Sequence, residues 1–579
     1  MAKNLYKAKF EDKLPLGGIG TGHITLGCDG SITSPMSDSS NLSFFVIKAE
    51  KDGELFDARI IQSSQNEAIS LPCFENSTAS SFFPFTELCF FDSSFPADVK
   101  MTAFSPFIPL NDTDSGIPAV SFAFEVTNKS EDRIDYSIGL VSSNINHNAY
   151  NRMGCTDTGE AYIYLSGDCE NPQNTCIATD GKNVSFCEYI KSTDGFIKNF
   201  TENPTLYNKT KAECSVSFAS GGICTHFSLC GGENQKCTFC LSWYNPQNEL
   251  SRNYYAQYFE SSLECASYFL RQYDRLCSQS FEFSKNIFGA TISEATIENV
   301  NKELFTLIGR KLLRLDDGAL VSDTKVRFSD MDSFLWRSDA LTSLFPNLEY
   351  SETERLYKSG MYENANDEEK LISILRSYRK YLLSGDTDAL IEDWYYIVKC
   401  MEGVFGEDGK KQSKTDIGIQ CAATSAASIM AEAVKDKKRH ELYSAMCEGF
   451  PLCQVSMDIA EGFAAINEIS GFEYRADIKH IGFNPKSDLC PLDIGGTFRC
   501  FFCTPSCYGY VEEGIDYIEI NLLYGSLSVR SFGVPRVPRL VQYGGRNWRF
   551  EDKNLVTVLD SDLEVTPHKK LTIFIDIKQ

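Results

Sequence analysis

Apolar and polar residues alternate with a period of two through much of the first 245 positions. The runs Val120-Ser-Phe-Ala-Phe-Glu-Val126 and Cys214-Ser-Val-Ser-Phe218 are the clearest, and clusters of Gly, Asn, Asp and Ser separate such runs. That pattern turns one edge of each segment toward a core and predicts short strands joined by turns. Many such strands in succession predict a β-sandwich, closing with Cys240-Leu-Ser-Trp-Tyr-Asn-Pro246. The period then lengthens. Tyr255, Phe259, Leu263, Ala266 and Leu270 fall at helical spacing, as do Leu304, Ile308, Leu312 and Leu315. Further helices are predicted from Asp367 to Leu383, Asp386 to Phe405, Cys421 to Val434 and Val455 to Ile469. Helices in succession with short loops fit an α/α arrangement. After Gly471 the chain turns extended again, with strands predicted at Tyr517–Leu523, Ser526–Arg530 and Leu571–Asp576. The expected class is therefore a multidomain α+β protein: a β-sandwich over residues 1–250, a helical α/α domain over 251–480, and a β-rich C-terminal extension over 481–579.

Composition narrows the partners. The chain has 579 residues, more than one ordinary domain, and its 42% apolar and 23% charged residues are those of a globular protein. A formal charge of −24 repels phosphate backbones and anionic headgroups, which argues against nucleic acid and membrane surfaces but does not penalise a neutral ligand. The segment Met1–Phe10 has no apolar run of signal-peptide length, and no stretch reaches the ~18 apolar residues of a membrane-spanning helix. A cytoplasmic location is expected, with the 22 cysteines as reduced thiols and Asn-x-Thr triplets such as Asn199-Phe-Thr201 as coincidences. The oligomeric state is left open.

Two segments of the first domain carry a resemblance. These are Pro15-Leu-Gly-Gly-Ile-Gly-Thr-Gly22 and Phe104-Ser-Pro-Phe-Ile-Pro-Leu-Asn-Asp-Thr-Asp-Ser-Gly-Ile-Pro118, the latter running into the Val120 strand. Together they resemble the N-terminal domain of glycoside hydrolase family 116, the group that includes the non-lysosomal glucosylceramidases. Patches in the second half follow the family's order: Asp332 then Leu344-Phe-Pro-Asn-Leu-Glu349, Tyr378–Asp386 with Asp393-Trp394, Gly471-Phe-Glu-Tyr474, and Phe498-Arg-Cys-Phe-Phe502. The resemblance implies a shortened (α/α)6 toroid for the helices, a sugar or glycoside as ligand, and no cofactor.

Family members are retaining β-glycosidases, which need two carboxyl groups about 5–5.5 Å apart, one a nucleophile and one an acid/base. The position matching the family nucleophile reads Val321, whose isopropyl group cannot attack an anomeric carbon. The acid/base position matches Asp416, in Ser413-Lys-Thr-Asp-Ile-Gly418, without the family's tryptophan. The family's Pro-His-Asp loop corresponds to Gly360–Asn366, which has no histidine, and its glutamate–arginine pair corresponds to Gly449, or Glu448 with a one-residue slip, and Asp458. Two functions follow from this set. One is a carbohydrate-binding relative with degraded or absent β-glucosidase activity. The other is an active glycosidase using Asp416 with a relocated carboxylate such as Asp323, Asp330 or Asp332; an undescribed lyase or phosphorylase activity stands behind both.

Each candidate also has a plain structural explanation. Asp416 precedes a small-residue helix and either caps it or faces ligand. Asp332 is a sugar-hydroxyl partner or a paired helix carboxylate, and Trp336, one turn later, stacks on a pyranose or fills a core. Gly18-Ile-Gly-Thr-Gly22 lacks the preceding strand and spacing of a dinucleotide loop, and the resemblance makes it a loop beneath the sugar site. Cys500-Phe-Phe-Cys503 with Cys507 lacks the second pair that zinc requires, and the six histidines are scattered, so no metal is expected.

Overall fold

The computed structural model describes the chain except residues 1–6, 34–42, 147–148, 168–171, 211–219, 248–250, 311, 319, 323–338, 349–356, 359, 451–461, 486–495, 554–555 and 577–579. The chain folds into two compact units that interleave in sequence. Among the described residues, the β-rich unit comprises 7–284 and 304–316, and the mixed unit comprises 285–303 and 317–576.

In the β-rich unit, the expected alternation becomes two antiparallel sheets of nine and eight strands. The strand Ala119–Asn128 runs between Ala97–Phe104 and Asn234–Tyr244, with Phe122 opposite Ala103 on one side and Phe239 on the other. Ser43–Lys51 and Ile134–Ser143 are neighbours in the second sheet. Phe45 of that sheet meets Phe122, Phe124 and Phe239 of the first at ring-centroid distances of 5.1, 4.8 and 5.6 Å, all in edge-on geometry. Two sheets interdigitating apolar faces are a β-sandwich. A helix inside this unit, Thr193–Glu202, is absent from the sequence reading; it starts at Ser192, whose hydroxyl accepts the Gly195 amide, and buries Phe196, Ile197 and Phe200.

Between residues 251 and 316 the helical stretch departs from the expected pattern at three points. Tyr255 and Phe259 do not begin the first helix: Tyr254–Gln257 is a single 3₁₀ turn, and the α-helix Ser262–Arg271 starts at the Ser261 cap. A helix the periodicity missed follows at Tyr273–Phe288. The third difference lies in the helix Glu294–Gly309, which ends before Leu312; Leu312–Arg314 is extended, and Leu313 bridges to Thr21. Backbone pairing with a segment almost 300 residues earlier overrides local helical spacing there.

In the mixed unit, the helices Asp367–Ser384 and Thr387–Phe405 lie where the sequence places them. Asn366 and Glu369 form a reciprocal capping box, three carboxylates occupy the first turn, and Gly385 ends the helix with φ 66°. Ile417–Ala433 begins earlier than expected, directly after Asp416. Lys437–Gly449 and Phe463–Ser470 follow, the latter being the described part of the Val455–Ile469 prediction. Tyr357, Ile397, Met401 and Met430 are among the buried residues that join the four helices between Asp367 and Gly449 in one core. C-terminal strands form sheets of five and six strands, in which Tyr517–Gly525, Leu527–Gly533 and Leu571–Ile575 match the three predicted strands closely. Cys500, Cys503 and Cys507 lie on two of these strands as buried thiols, and burial pushes Cys507 up to about 11. The Cys214–Phe218 strand lies outside the described residues.

Candidate functional site

The glycine-rich turn links two paired strands, Lys13–Leu16 and Ile24–Gly27. Its glycines are dictated by close approach: a Cβ at Gly17 would sit 2.4 Å from the Gly22 carbonyl oxygen, and one at Gly18 would sit 2.5 Å from the Ile117 oxygen. Gly20 and Gly22 adopt φ of 71° and 81°, where side chains are disfavoured. The turn is held from three directions. The Ile19 N–H donates to the Ser115 oxygen at 2.8 Å, the Arg314 N–H to the Gly20 oxygen at 3.0 Å, and the Trp243 indole to the Thr21 oxygen at 2.7 Å. The two sequence segments that carry the resemblance are therefore physically joined.

Beside this junction lies a set of charged and aromatic groups. Asp112 pairs with Arg314 at 2.6 Å, and the Arg314 guanidinium lies 3.4 Å from the centroid of the Tyr254 ring. Asp114 accepts from Arg275 and Tyr268, each at 2.8 Å, and from the Asn111 amide at 2.7 Å. Burial alone would raise the Asp114 carboxyl; the hydrogen bonds from Arg275, Tyr268 and Asn111 outweigh it and hold the group below the usual carboxylate range. Both carboxylates thus brace the loop through their arginine partners. Sequence reasoning missed this network because Arg314 is 202 positions from Asp112 and Arg275 is 161 from Asp114. The only local signal is the Asn111-Asp-Thr-Asp114 run itself.

Asp416 caps the helix Ile417–Ala433, its Oδ1 accepting the Ile419 amide at 3.1 Å. It is exposed, and the chain ahead of it is tied by Ser413, whose hydroxyl donates to Asp367 at 2.9 Å. Val321 belongs to the short strand Leu320–Ser322. Asp323, Asp330, Asp332, Trp336 and Asp458 lie outside the described residues. Within Gly360–Asn366, Met361–Glu363 forms a 3₁₀ turn and Asn366 serves as a helix cap. Glu448 and Gly449 are the last residues of the helix Lys437–Gly449. Among the described residues no group of three or more His, Cys, Asp or Glu stands together as a metal site.

Residues 14–276 match the family described as beta-glucosidase 2, glycosyl-hydrolase family 116 N-term. Over those residues the chain is similar to a family 116 N-terminal domain. That match spans both segments at the glycine turn, and it accounts for their joint burial in one sandwich. No curated protein matches the chain. Among solved structures, one titled "Putative kojibiose phosphorylase from human microbiome" aligns over 96% of this chain and 92% of its own, at 11% identity and a TM-score of 0.41. That likeness assigns no residue and no chemistry. No helix among the described residues is long and apolar enough to cross a membrane.

Proposed function

We propose that this chain is a carbohydrate-recognising relative of the family 116 β-glucosidases in which hydrolysis through a covalent glycosyl-enzyme is degraded or lost. On this reading residues 251–480 are the counterpart of the family's catalytic domain, and Asp416 and Asp332 face the sugar with Trp336 beside it. The observation that carries the proposal is Val321 at the position of the family nucleophile. Without a carboxylate there the double-displacement route vanishes, a loss of many powers of ten in rate. Two further features support it: one oxygen of the Asp416 carboxylate caps a helix, and no histidine occurs in Gly360–Asn366. On the same reading the 22 cysteines are reduced thiols of a cytoplasmic protein.

A thermal-shift series with glucose, gluconolactone and iminosugars, paired with an aryl β-glycoside screen, tests the proposal. Stabilisation by at least one sugar without turnover is the expected result. Turnover of any aryl β-glycoside that Asp416→Asn abolishes would replace it with an active enzyme using a relocated carboxylate. No stabilisation by any sugar at millimolar concentration would remove the carbohydrate role and leave only the scaffold.

A further inference from the structure

The mixed unit contains a cavity of about 330 Å³ that shares no residue with the expected catalytic positions. Three helices end at it. Thr342 and Ser343 come from the last turn of Asp339–Leu344, Arg379 and Leu382 from the final turns of Asp367–Ser384, and Asn467 from the last turn of Phe463–Ser470. Phe472 and Tyr474 line a further wall, with Cys503 and Thr504 of the strand Phe498–Thr504. Four of the separated patches singled out in the sequence, around Leu344–Glu349, Tyr378–Asp386, Gly471–Tyr474 and Phe498–Phe502, contribute residues to this cavity or end next to it.

The lining is built rather than incidental. Arg379 Nη1 donates to the Thr342 hydroxyl at 2.7 Å, which fixes the guanidinium plane at the wall. Phe472 is clamped by Phe483 and Phe502 at centroid distances of 5.6 and 5.9 Å. The turn joining the helix to this wall is closed by the Phe472 N–H on the Asn467 oxygen at 3.0 Å, and Tyr474 is fixed in a strand opposite Ile481. Burial raises the Tyr474 phenol to about 12, so it stays a neutral hydroxyl.

Charge selects the class of occupant. Arg379 is the only ionic group among the described lining residues, and it stands among three helix C-termini, each carrying partial negative charge. The guanidinium offsets those ends, so neither a strong anion nor a cation is favoured. What the wall presents is an amide, a guanidinium fork and neutral hydroxyls, beside the apolar surface of Phe472 and Leu382. The amide and hydroxyls both donate and accept, the guanidinium donates, and with an apolar ring beside them they match a neutral polyol with one C–H face. A volume near the lower end of the roughly 300–1,000 Å³ typical of small-molecule sites suits a monosaccharide. We propose that this cavity is a second carbohydrate site, for a neutral monosaccharide-sized ligand, separate from Asp416. The sugar class rests on the function proposed above; the location rests on the cavity alone.

Hydrogen–deuterium exchange of the full chain with glucose, galactose and xylose at tens of millimolar, and with benzoate as the anionic control, tests the site. Protection in peptides covering 467–475 and 502–507 is expected with a neutral sugar, absent with benzoate, and at least 10-fold weaker in apparent affinity for Arg379→Met. Ser343→Phe, which fills the cavity from its rim, removes the protection while leaving the melting temperature within a few degrees of wild type. Protection confined to peptides around 413–420 would overturn the second site and leave the carbohydrate reading standing. Preference for benzoate at 467–475 would overturn the charge argument. Protection nowhere, with any sugar, would sink both.

Discussion

Replacing Asp416 by Asn and by Ala separates two jobs that one carboxylate can hold. As a helix cap it needs only an acceptor oxygen, so Asp416→Asn should leave stability within about 0.5 kcal/mol of wild type, whereas Asp416→Ala should cost about 1 kcal/mol in chemical denaturation. An acid/base role gives the opposite signature, with both variants equally dead on an aryl β-glycoside. His226 provides a second residue-scale test. Its ring lies between the Ser137 and Ser185 hydroxyls, each 2.7 Å away, and burial, with the nearby Lys48 ammonium, lowers it to about 4. Lys48 is itself paired with Glu50 at 3.0 Å. Because the folded value lies below the ordinary 6.5, the neutral ring's contribution is complete above that pH and is lost as pH falls from 6.5 toward 4. Denaturation midpoints measured across that window should fall, and His226→Gln should flatten the fall.

At the scale of elements, caps and close approaches decide more than propensity does. The helix Asp367–Ser384 was legible because Asn366, Glu369 and Gly385 mark both ends in the sequence. Gly385→Ala meets φ 66° and places its Cβ 2.8 Å from the Asp477 nitrogen, so it should cost at least about 1–2 kcal/mol. Gly18→Ala, 2.5 Å from the Ile117 oxygen, should destabilise the β-rich unit by about 1–3 kcal/mol, read as an earlier loss of its β-sheet circular dichroism. The Leu304–Leu315 spacing misled for a physical reason. Periodicity reports which residues are buried, and Leu312 and Leu315 are buried, but against a strand partner rather than along a helix. Trp243 shows the same limit, since nothing near it in sequence indicates that its indole donates to Thr21.

For the molecule as a whole, the interleaving of the units matters most. Residues 304–316 complete the β-rich unit through the Phe305 ring on Phe83 at 5.1 Å, the Arg314–Asp112 pair and the Leu313–Thr21 bridge. A fragment of residues 1–316 should therefore be more stable than one of residues 1–284 by at least about 2 kcal/mol, since the shorter one leaves Asp112 without its cation and the glycine turn without its backbone donor. Equal urea midpoints for the two fragments would contradict that account. The same interleaving shows why a boundary near residue 250 omits part of the β-rich unit: the segment 304–316 that completes it begins inside the helix Glu294–Gly309, beyond two earlier helices.

Period-two and period-3.6 patterning was enough to place the sandwich strand at Val120, three C-terminal strands and the helices near 367–384 and 387–405, because each is settled by neighbours a few residues away. That residue 321 is a valine is likewise a fact of sequence, and the proposed loss of hydrolysis rests on matching it to the family nucleophile. Only the tertiary structure decided that Asp114 is braced by Arg275, that Arg314 covers Tyr254, and that four distant patches meet around one cavity. Those outcomes depend on which surfaces pack together, and packing energy is summed over contacts far apart along the chain, where no local pattern carries it.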